Sequence, residues 1–320
     1  MSRILLAVLL LTVTSLLSVS DKTQEGQELL DQARLKSDLH ALPSFTMKAA
    51  VKIDNQGESL AGKYLLLWNG PDQWREEIAF PGFHEVRVGG SGTVATKRDV
   101  DFLPLRIHQL QRVLGYGEDG LTLREDEKIK QVHARKVNKV EARCLEITSK
   151  ENSREVCVNP LTGGPVRDHP FFDEGRAPIE TIVFPHTLSY REEKKPVVEV
   201  EITDIRVGEH LPSSSFGVPA GAVSAASCMN PSEGRLIKKV PPLYPNSEKL
   251  AHREGTIAIY ALIGADGSPR NLRIIESVSS GLDAASLDAV RQWRYEPYRC
   301  QGTPVSQETV IQVNYKLNFR

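Results

Sequence analysis

Alternation of apolar and polar residues predicts strands through most of the first two thirds of the chain. Three early runs have this pattern: Ser44 to Ile53, Leu60 to Trp68, and Gln73 to Phe80. Turn-forming clusters separate them at residues 55–57 and 69–72. The most regular alternation comes later, where Val198, Val200 and Ile202 are interleaved with polar residues.

Two segments of this region have helical periodicity instead. Residues 24–39 place Leu29, Leu30, Ala33 and Leu35 among charged residues, which predicts an amphipathic helix that packs on a sheet. A second helix is expected near residues 103–114. We therefore expect residues 21–222 to form a mainly antiparallel, half-barrel-like β domain with one or two covering helices.

The pattern changes to an α/β mixture near the C-terminus. Gly, Ala, Ser and Pro dominate residues 216–227, which predicts a linker at residues 223–240. Residues 241–320 then predict a helix, two strands, a second helix and a last strand at Glu308 to Leu317. Ala265-Asp266-Gly267 would form the hairpin turn between the first two strands. The predicted fold class is α+β.

The N-terminus has the features of a signal peptide over residues 1–20. Arg3 provides a positive charge, residues 4–17 are apolar, and Ser18-Val19-Ser20 offers small residues for cleavage near Asp21. The alternative is an uncleaved membrane anchor. The apolar run is shorter than the roughly 20 residues that span a bilayer, so we expect cleavage and export.

Length and charge narrow the class of protein. A chain of 320 residues suits two domains of ordinary size. Its formal net charge of -1 lacks the basic excess that phosphate backbones require, so nucleic acid is not an expected partner.

The four cysteines of an exported protein favour disulfides. If Thr148 pairs with Ser153 across a tight turn, Cys144 lies directly opposite Cys157, at a Cα separation of about 4.5 to 5.5 Å. Cys228 and Cys300 would then form the second bridge. The alternative is four buried thiols in a reducing compartment.

The C-terminal region contains a set of short motifs in a fixed order. The motif positions, which we expect to be structural, are Tyr244, Pro245, Gly255, Asp266, Gly267, Gly281, Leu282, Asp283, Trp293, Pro297, Gly302 and Pro304. Glu254, Ser280, Arg294, Tyr295 and Val305 complete these motifs. In this order over about sixty residues, the set resembles the C-terminal domain of TonB-family energy transducers, and the order makes the resemblance specific.

The resemblance implies a periplasmic protein that supports transmembrane transport and has no enzymatic activity or cofactor. Its last strand would pair with an extended segment of an outer-membrane TonB-dependent transporter. The residues of that strand are Thr309, Val310, Ile311, Gln312, Val313, Asn314 and Tyr315. Family transducers also contact a proton-driven inner-membrane complex, usually through a His in an anchoring helix, and carry a long Pro-rich spacer. Here the apolar run lacks His and the 19 prolines are scattered, so we expect that contact only with an uncleaved leader.

The region before residue 222 resembles periplasmic lipoprotein-carrier proteins. In these proteins a curved antiparallel sheet wraps on a helix and leaves an apolar hollow. This resemblance implies the alternative function, a carrier of lipid or another apolar ligand. Trp68, Trp74, Phe80 and Phe83 would line the hollow, although ordinary core packing also explains them.

Two other patterns suggest chemistry and are better explained as loops. Residues 115–120 match a dinucleotide fingerprint by letter, but they follow a helical pattern and contain two acids that would repel a pyrophosphate. Asp168, His169, Asp173 and Glu174 contain metal-ligand types without helical His spacing, which favours a solvated loop. We predict no catalytic or metal site.

Overall fold

A computed structural model describes most of the chain. The described residues are 23–55, 57–115, 121–123, 126–137, 139–149, 153–166, 171–174, 177–193, 195–229, 231 and 234–317. The predicted signal peptide and the fingerprint-like residues 116–120 lie outside these ranges. Among the described residues, no helix is both long and apolar enough to cross a membrane.

The described elements are mainly strands. The helices are α1 (23–37), α2 (Leu105–Gly115), α3 (Asn246–Leu250) and α4 (Ser280–Val290), with 3-10 turns at Leu39–Ala41 and Ser213–Phe216. The strands of the first part are β1 (Phe45–Asn55), β2 (Glu58–Trp68), β3 (Trp74–Phe80), β4 (Phe83–Gly90), β5 (Thr93–Arg98), β6 (Lys128–Val137), β7 (Val140–Thr148), β8 (Ser153–Val158), β9 (Pro165–Val166), β10 (Phe171–Glu174), β11 (Ala177–Ile179), β12 (Ile182–Phe184), β13 (Thr187–Glu192) and β14 (Lys195–Val207). The later strands are β15 (Val223–Ala226), β16 (Leu236–Lys238), β17 (Gly255–Ile263), β18 (Pro269–Glu276), β19 (Arg294–Tyr295), β20 (Tyr298–Cys300), β21 (Thr303–Val305) and β22 (Gln307–Tyr315).

Contacts divide the chain into two compact units. Unit 1 comprises residues 1–42 and 114–195, and unit 2 comprises residues 43–113 and 196–320. The stretch expected to be a linker, residues 223–240, contains β15 and β16. The domain boundaries read from the sequence stay a prediction.

Unit 1 is built on a four-stranded antiparallel sheet in the order β6-β7-β8-β9. Leu30 and Ala33 of α1 pack against Leu145, Ile147 and Val158 of this sheet, and all five side chains are buried. The helix predicted near the N-terminus is therefore confirmed, and Leu30 and Ala33 lie on a sheet as expected, whereas Leu35 is 67% exposed.

Unit 2 contains an antiparallel sheet with the strand order β14-β1-β2-β3-β4-β5-β15. Along β3, residues alternate between buried and half-buried, with Trp74, Ile78 and Phe80 on the buried face as the sequence predicted. Glu76 lies on that buried face too, which the sequence pattern did not indicate.

The C-terminal part of unit 2 has the predicted order α3, β17, β18, α4 and β22, with three short strands before the last one. Its three-stranded sheet has the order β18-β17-β22, and all pairs are antiparallel. The predicted α+β class and this element order are confirmed.

Candidate partner-binding site

The last strand, β22, is the terminal strand of the three-stranded sheet. Nine consecutive residues pair with β17, from Gln307 opposite Ile263 to Tyr315 opposite Gly255. In the part of the chain that the structure describes, the sheet ends at β22. Residues 309–315, the predicted binding residues, therefore all lie on a strand at a sheet border.

The two faces of β22 differ in chemistry. Ile311, Val313 and Tyr315 are buried in the apolar core beneath α4, together with the largely buried Thr309. Gln312 and Asn314, on the opposite face, are exposed, and Val310 is half-buried. This alternation fixes the register of β22, because a one-residue slip would expose the core residues.

Tyr315 connects the end of β22 to α4 and to Tyr244, which precedes α3. Its hydroxyl lies 3.0 Å from the hydroxyl of Ser286 on α4. Its ring meets the ring of Tyr244 edge-on, with the centroids 5.0 Å apart. Tyr244 also donates a hydrogen bond to the carbonyl of Arg253. Pro245 is the N-cap residue of α3, one position before its first turn.

Two motif glycines lie where a side chain would not fit. Gly267, in the turn between β17 and β18, has a φ of 76°, and a Cβ there would lie 1.8 Å from the carbonyl oxygen of Tyr295. Gly281 is in the first turn of α4, where a Cβ would come within 2.3 Å of a carboxylate oxygen of Glu248. Gly267 therefore allows a close approach to the backbone of Tyr295, and Gly281 a close approach to the side chain of Glu248.

Acidic motif residues stabilise the hairpin turn and the start of α4. Asp266 accepts hydrogen bonds from the amide and hydroxyl of Ser268, at 3.1 and 2.7 Å, and these bonds lower its pKa to about 2. Ser279 caps α4 by accepting from the amide of Leu282, while Asp283 accepts from the hydroxyl of Ser277 at 2.6 Å.

Trp293 is 4% exposed and packs in the core formed by β17, β22 and α4. Its indole N–H donates to the carbonyl of Val240 at 2.8 Å, which ties the segment before α3 to the core. Two more motif residues lie in or beside this sheet: Leu282 is fully buried, and Gly255 has a φ of 150°.

The remaining motif residues lie outside the three-stranded sheet. Pro297 lies between β19 and β20, Gly302 forms the turn between β20 and β21, and Pro304 pairs with Arg299. Gly302 has a φ of 84° and open space around it. Tyr298 of this hairpin packs against the core that contains Trp293.

Both predicted disulfides are confirmed. Cys144 is bonded to Cys157, and the predicted register, with Thr148 opposite Ser153, is observed. Their Cα atoms are 3.9 Å apart, closer than we expected. Cys228 is bonded to Cys300 with a Cα separation of 5.9 Å. All four cysteines are therefore oxidised.

The sequence did not indicate a buried polar network in unit 2. Glu76 pairs with Arg87 at 2.7 Å and accepts a hydrogen bond from Tyr64 at 3.0 Å. Burial and the charge of Glu76 raise the pKa of Tyr64, so its phenol stays protonated. Arg98 and Glu308 also form an ion pair, at 2.9 Å. The sequence indicated the burial of this ion pair only indirectly, through the neighbouring strand β17. The continuous apolar run of β17 is typical of a strand that is buried on both faces.

Among the described residues, one cluster has metal-ligand types: His133, Cys144 and Glu155. Cys144 is in a disulfide and cannot offer a thiolate, so the cluster does not suit a metal ion. Asp168 and His169 lie outside the described residues. Asp173 and Glu174 lie in β10 and pair with β13, so the loop expected from the sequence is wrong for these two residues.

The aromatic residues that could line an apolar hollow are mostly in the core. Trp68, Trp74 and Phe80 are at most 8% exposed, and Phe83 is half-buried. Trp74 lies directly against Gly89, where a Cβ would come within 2.0 Å of its ring. This packing matches the ordinary core explanation given for these residues.

Comparison with known proteins supports the C-terminal resemblance. Residues 240–317 match the family model described as the Gram-negative bacterial TonB protein C-terminal. This range contains α3, β17, β18, α4 and β22, together with every motif residue named above. The resemblance predicted from the motifs is therefore confirmed for this part of the chain.

Curated relatives match a part of the chain. Protein TonB of Pseudomonas aeruginosa is 30% identical over 110 residues, which cover 34% of this chain and 31% of that protein. Protein TonB of Vibrio cholerae is 29% identical over 80 residues, covering 25% and 33%. The chain thus spans about a third of the length of these relatives.

The similar solved structures cover different shares of the chain. The C-terminal domain of Pseudomonas aeruginosa TonB covers 28% of this chain and 93% of its own, with 27% identity and a TM-score of 0.25. A putative outer membrane lipoprotein-sorting protein domain from Vibrio parahaemolyticus covers 61% and 97%, with 12% identity and a TM-score of 0.40.

Proposed function

We propose that the C-terminal module is a non-enzymatic binding domain that takes up an extended segment of a partner protein by strand addition to β22. The partner that best suits the TonB-like module is an outer-membrane TonB-dependent transporter, and the protein would act in the periplasm to support transport. One observation carries the proposal: β22 ends its sheet, with nine of its residues paired on one side.

A border strand of this kind favours main-chain recognition. The outward N–H and C=O groups of a terminal strand form a template for an incoming strand. The burial of Ile311, Val313 and Tyr315 against α4 holds β22 in its extended conformation before the partner arrives. Little ordering entropy is then lost by the site itself.

Main-chain bonds alone would give a weak complex. At about 0.5 to 1.5 kcal/mol net per bond, about five bonds contribute a few kcal/mol, against the roughly 8 kcal/mol of micromolar affinity. Side chains of the partner must supply the rest. We expect apolar side chains at alternate positions of the segment, since the buried face of β22 is apolar.

The test uses the full chain and synthetic peptides from the N-terminal region of a TonB-dependent transporter. Titration calorimetry would measure the affinity of one peptide in three forms: unmodified, N-methylated at odd positions, and N-methylated at even positions. Successive amides of a strand point alternately towards and away from its neighbour. One methylated form should therefore lose binding, and the other should keep it.

The two methylated peptides are controls for each other, because they have the same side chains and the same number of methyl groups. Equal binding of both would show recognition by side chains alone and would overturn strand addition. No binding of the unmodified peptide at high micromolar concentration would overturn the proposed function itself.

A further inference from the structure

The C-terminal sheet is covered on the face that points away from α4. Ile257, Ile259 and Ala261 of β17 belong to the core beneath α4. Ala258 and Tyr260, on the opposite face of the same strand, are 0% and 8% exposed. A sheet covered by helices on one side only would leave these residues in water. Another part of unit 2 therefore covers part of this second face, while Gln312 and Asn314 of β22 stay exposed.

The covering segment follows β5 in the first sheet of unit 2. Arg273 of β18 forms an ion pair with Asp101, and its guanidinium lies 4.5 Å from the ring centroid of Phe102. Both members of that ion pair are exposed by half or more, so the pair contributes little to stability. The stronger contact lies further along the face, at β22.

Arg98, the last residue of β5, holds Glu308 at the start of β22. The two outer guanidinium nitrogens of Arg98 donate to the two carboxylate oxygens of Glu308, at 3.3 and 2.9 Å. Glu308 also accepts a hydrogen bond from the hydroxyl of Tyr260 at 2.7 Å. A two-point bond of this kind fixes orientation as well as distance.

The first sheet fixes Arg98 from its other side. The Nε–H of Arg98 donates to the carboxylate of Glu85. Glu85 is 1% exposed and also accepts a hydrogen bond from the side-chain amide of Gln111 at 2.8 Å. Arg98 itself is 7% exposed, and thus lies between two carboxylates away from water. Burial alone would raise the pKa of Glu308, but the bond to Arg98 and its charge lower it, so the carboxylate is ionised.

We propose that Arg98 and Glu308 form a positioning clamp for the strand-addition site. The clamp seats the second face of the C-terminal sheet on the residues after β5 and fixes the first residues of β22. An incoming segment then meets β22 in a conformation that is already extended. This inference rests on the proposed function, since it explains how the same strand is prepared for its partner.

The test compares the full-length wild type with Arg98→Gln, Arg98→Lys and Glu308→Gln. We expect the Gln variants to bind the unmodified transporter peptide at least about fivefold more weakly, in the range typical of coupled sites. Arg98→Lys keeps the charge but loses the two-point bond, and should recover part of the affinity. Arg291→Gln, which removes an exposed ion pair with Asp288 on α4, is the matched control and should bind as the wild type does.

A second measurement follows the clamp without any peptide. Chemical modification of tyrosine, read by mass spectrometry, should be slow at Tyr260 in the wild type and faster in Arg98→Gln and Glu308→Gln. Tyr315, which is buried beneath α4, should stay protected in all variants that remain folded. Loss of packing throughout the domain would increase the reactivity of both tyrosines.

The outcomes separate the two proposals. If the wild type binds the peptide and Glu308→Gln binds equally well, the clamp is overturned while strand addition stands. If the wild type does not bind, the proposed function is overturned, and the positioning role with it. If Arg98→Gln fails to fold because Glu85 is left without its cation, the Glu308→Gln variant tests the clamp instead. The side chain of Glu308 is 31% exposed, and Arg98 remains in that variant to pair with Glu85.

Discussion

The hydroxyl group of Tyr315 lies 3.0 Å from the hydroxyl group of Ser286, so the last residue of β22 is bonded directly to α4. Ser286 also donates to the carbonyl of Leu282 at 2.8 Å and is fully buried. The end of the strand proposed to bind the partner is thus held by a polar contact inside an apolar core.

Replacement of Tyr315 by Phe should lower the free energy of unfolding by about 1 kcal/mol, the net value of one buried hydrogen bond. Ser286 retains its bond to Leu282, so no buried group is left without a partner. Urea denaturation of Tyr315→Phe, Ser286→Ala and the double variant gives the coupling between the two residues. Additive effects would contradict a direct bond.

Two turn glycines should differ in their tolerance of Ala. Both have positive φ, so each substitution costs about 1 kcal/mol of backbone strain. At Gly302 nothing lies near the added Cβ, whereas at Gly267 it meets the backbone of Tyr295, whose amide donates to the Gly267 carbonyl at 2.9 Å. We expect a total loss of about 2 to 4 kcal/mol for Gly267→Ala, measured by chemical denaturation. Equal losses at the two sites would refute the close approach.

The two disulfides should contribute unequally to stability. The loop-entropy model gives about 4 kcal/mol for Cys228–Cys300, which are 72 residues apart, and about 3 kcal/mol for Cys144–Cys157, which are 13 apart. Paired Cys→Ser variants, followed by thermal unfolding with probes in each unit, would measure both values. A larger loss from the shorter loop would show that native packing outweighs chain entropy.

His108 should make the protein sensitive to acid. Burial, with repulsion from Arg112, lowers the pKa of His108 to about 3 from the ordinary 6.5. In the unfolded chain His108 binds a proton near pH 6.5, whereas in the folded protein it binds one only near pH 3. Stability is therefore complete above pH 6.5 and falls as the pH is lowered towards 3.

The variant His108→Gln lacks this titration and should lose less stability between pH 7 and pH 4.5, about two units below the unfolded pKa. His210, which is exposed, provides the matched control: His210→Gln should show the wild-type dependence. Unfolding free energies from urea titrations at each pH provide the comparison. Parallel curves for His108→Gln and the wild type would contradict the buried, neutral imidazole.

Some features followed from local sequence because neighbouring residues set them. The alternation around residues 144–158 placed Cys144 opposite Cys157, since strand period and turn length fix the register of a hairpin. Asp266-Gly267 predicted its turn because only Gly takes a positive φ without strain. The pattern of apolar and polar residues over 241–320 similarly predicted the order of elements that the structure has.

Only the tertiary structure decided which charged residues are buried and what they contact. Arg98 and Glu308 are 210 positions apart, and each lies in an alternating strand where a charged residue is ordinarily a solvated one. Strand period places Glu76 on the face of Trp74 and Ile78, but only the fold brings it together with Arg87. Sequence period shows which residues share a face of a strand, but the element that covers that face is selected by the folding of distant segments. The seating of the C-terminal sheet on the residues after β5 is therefore a property of the whole fold.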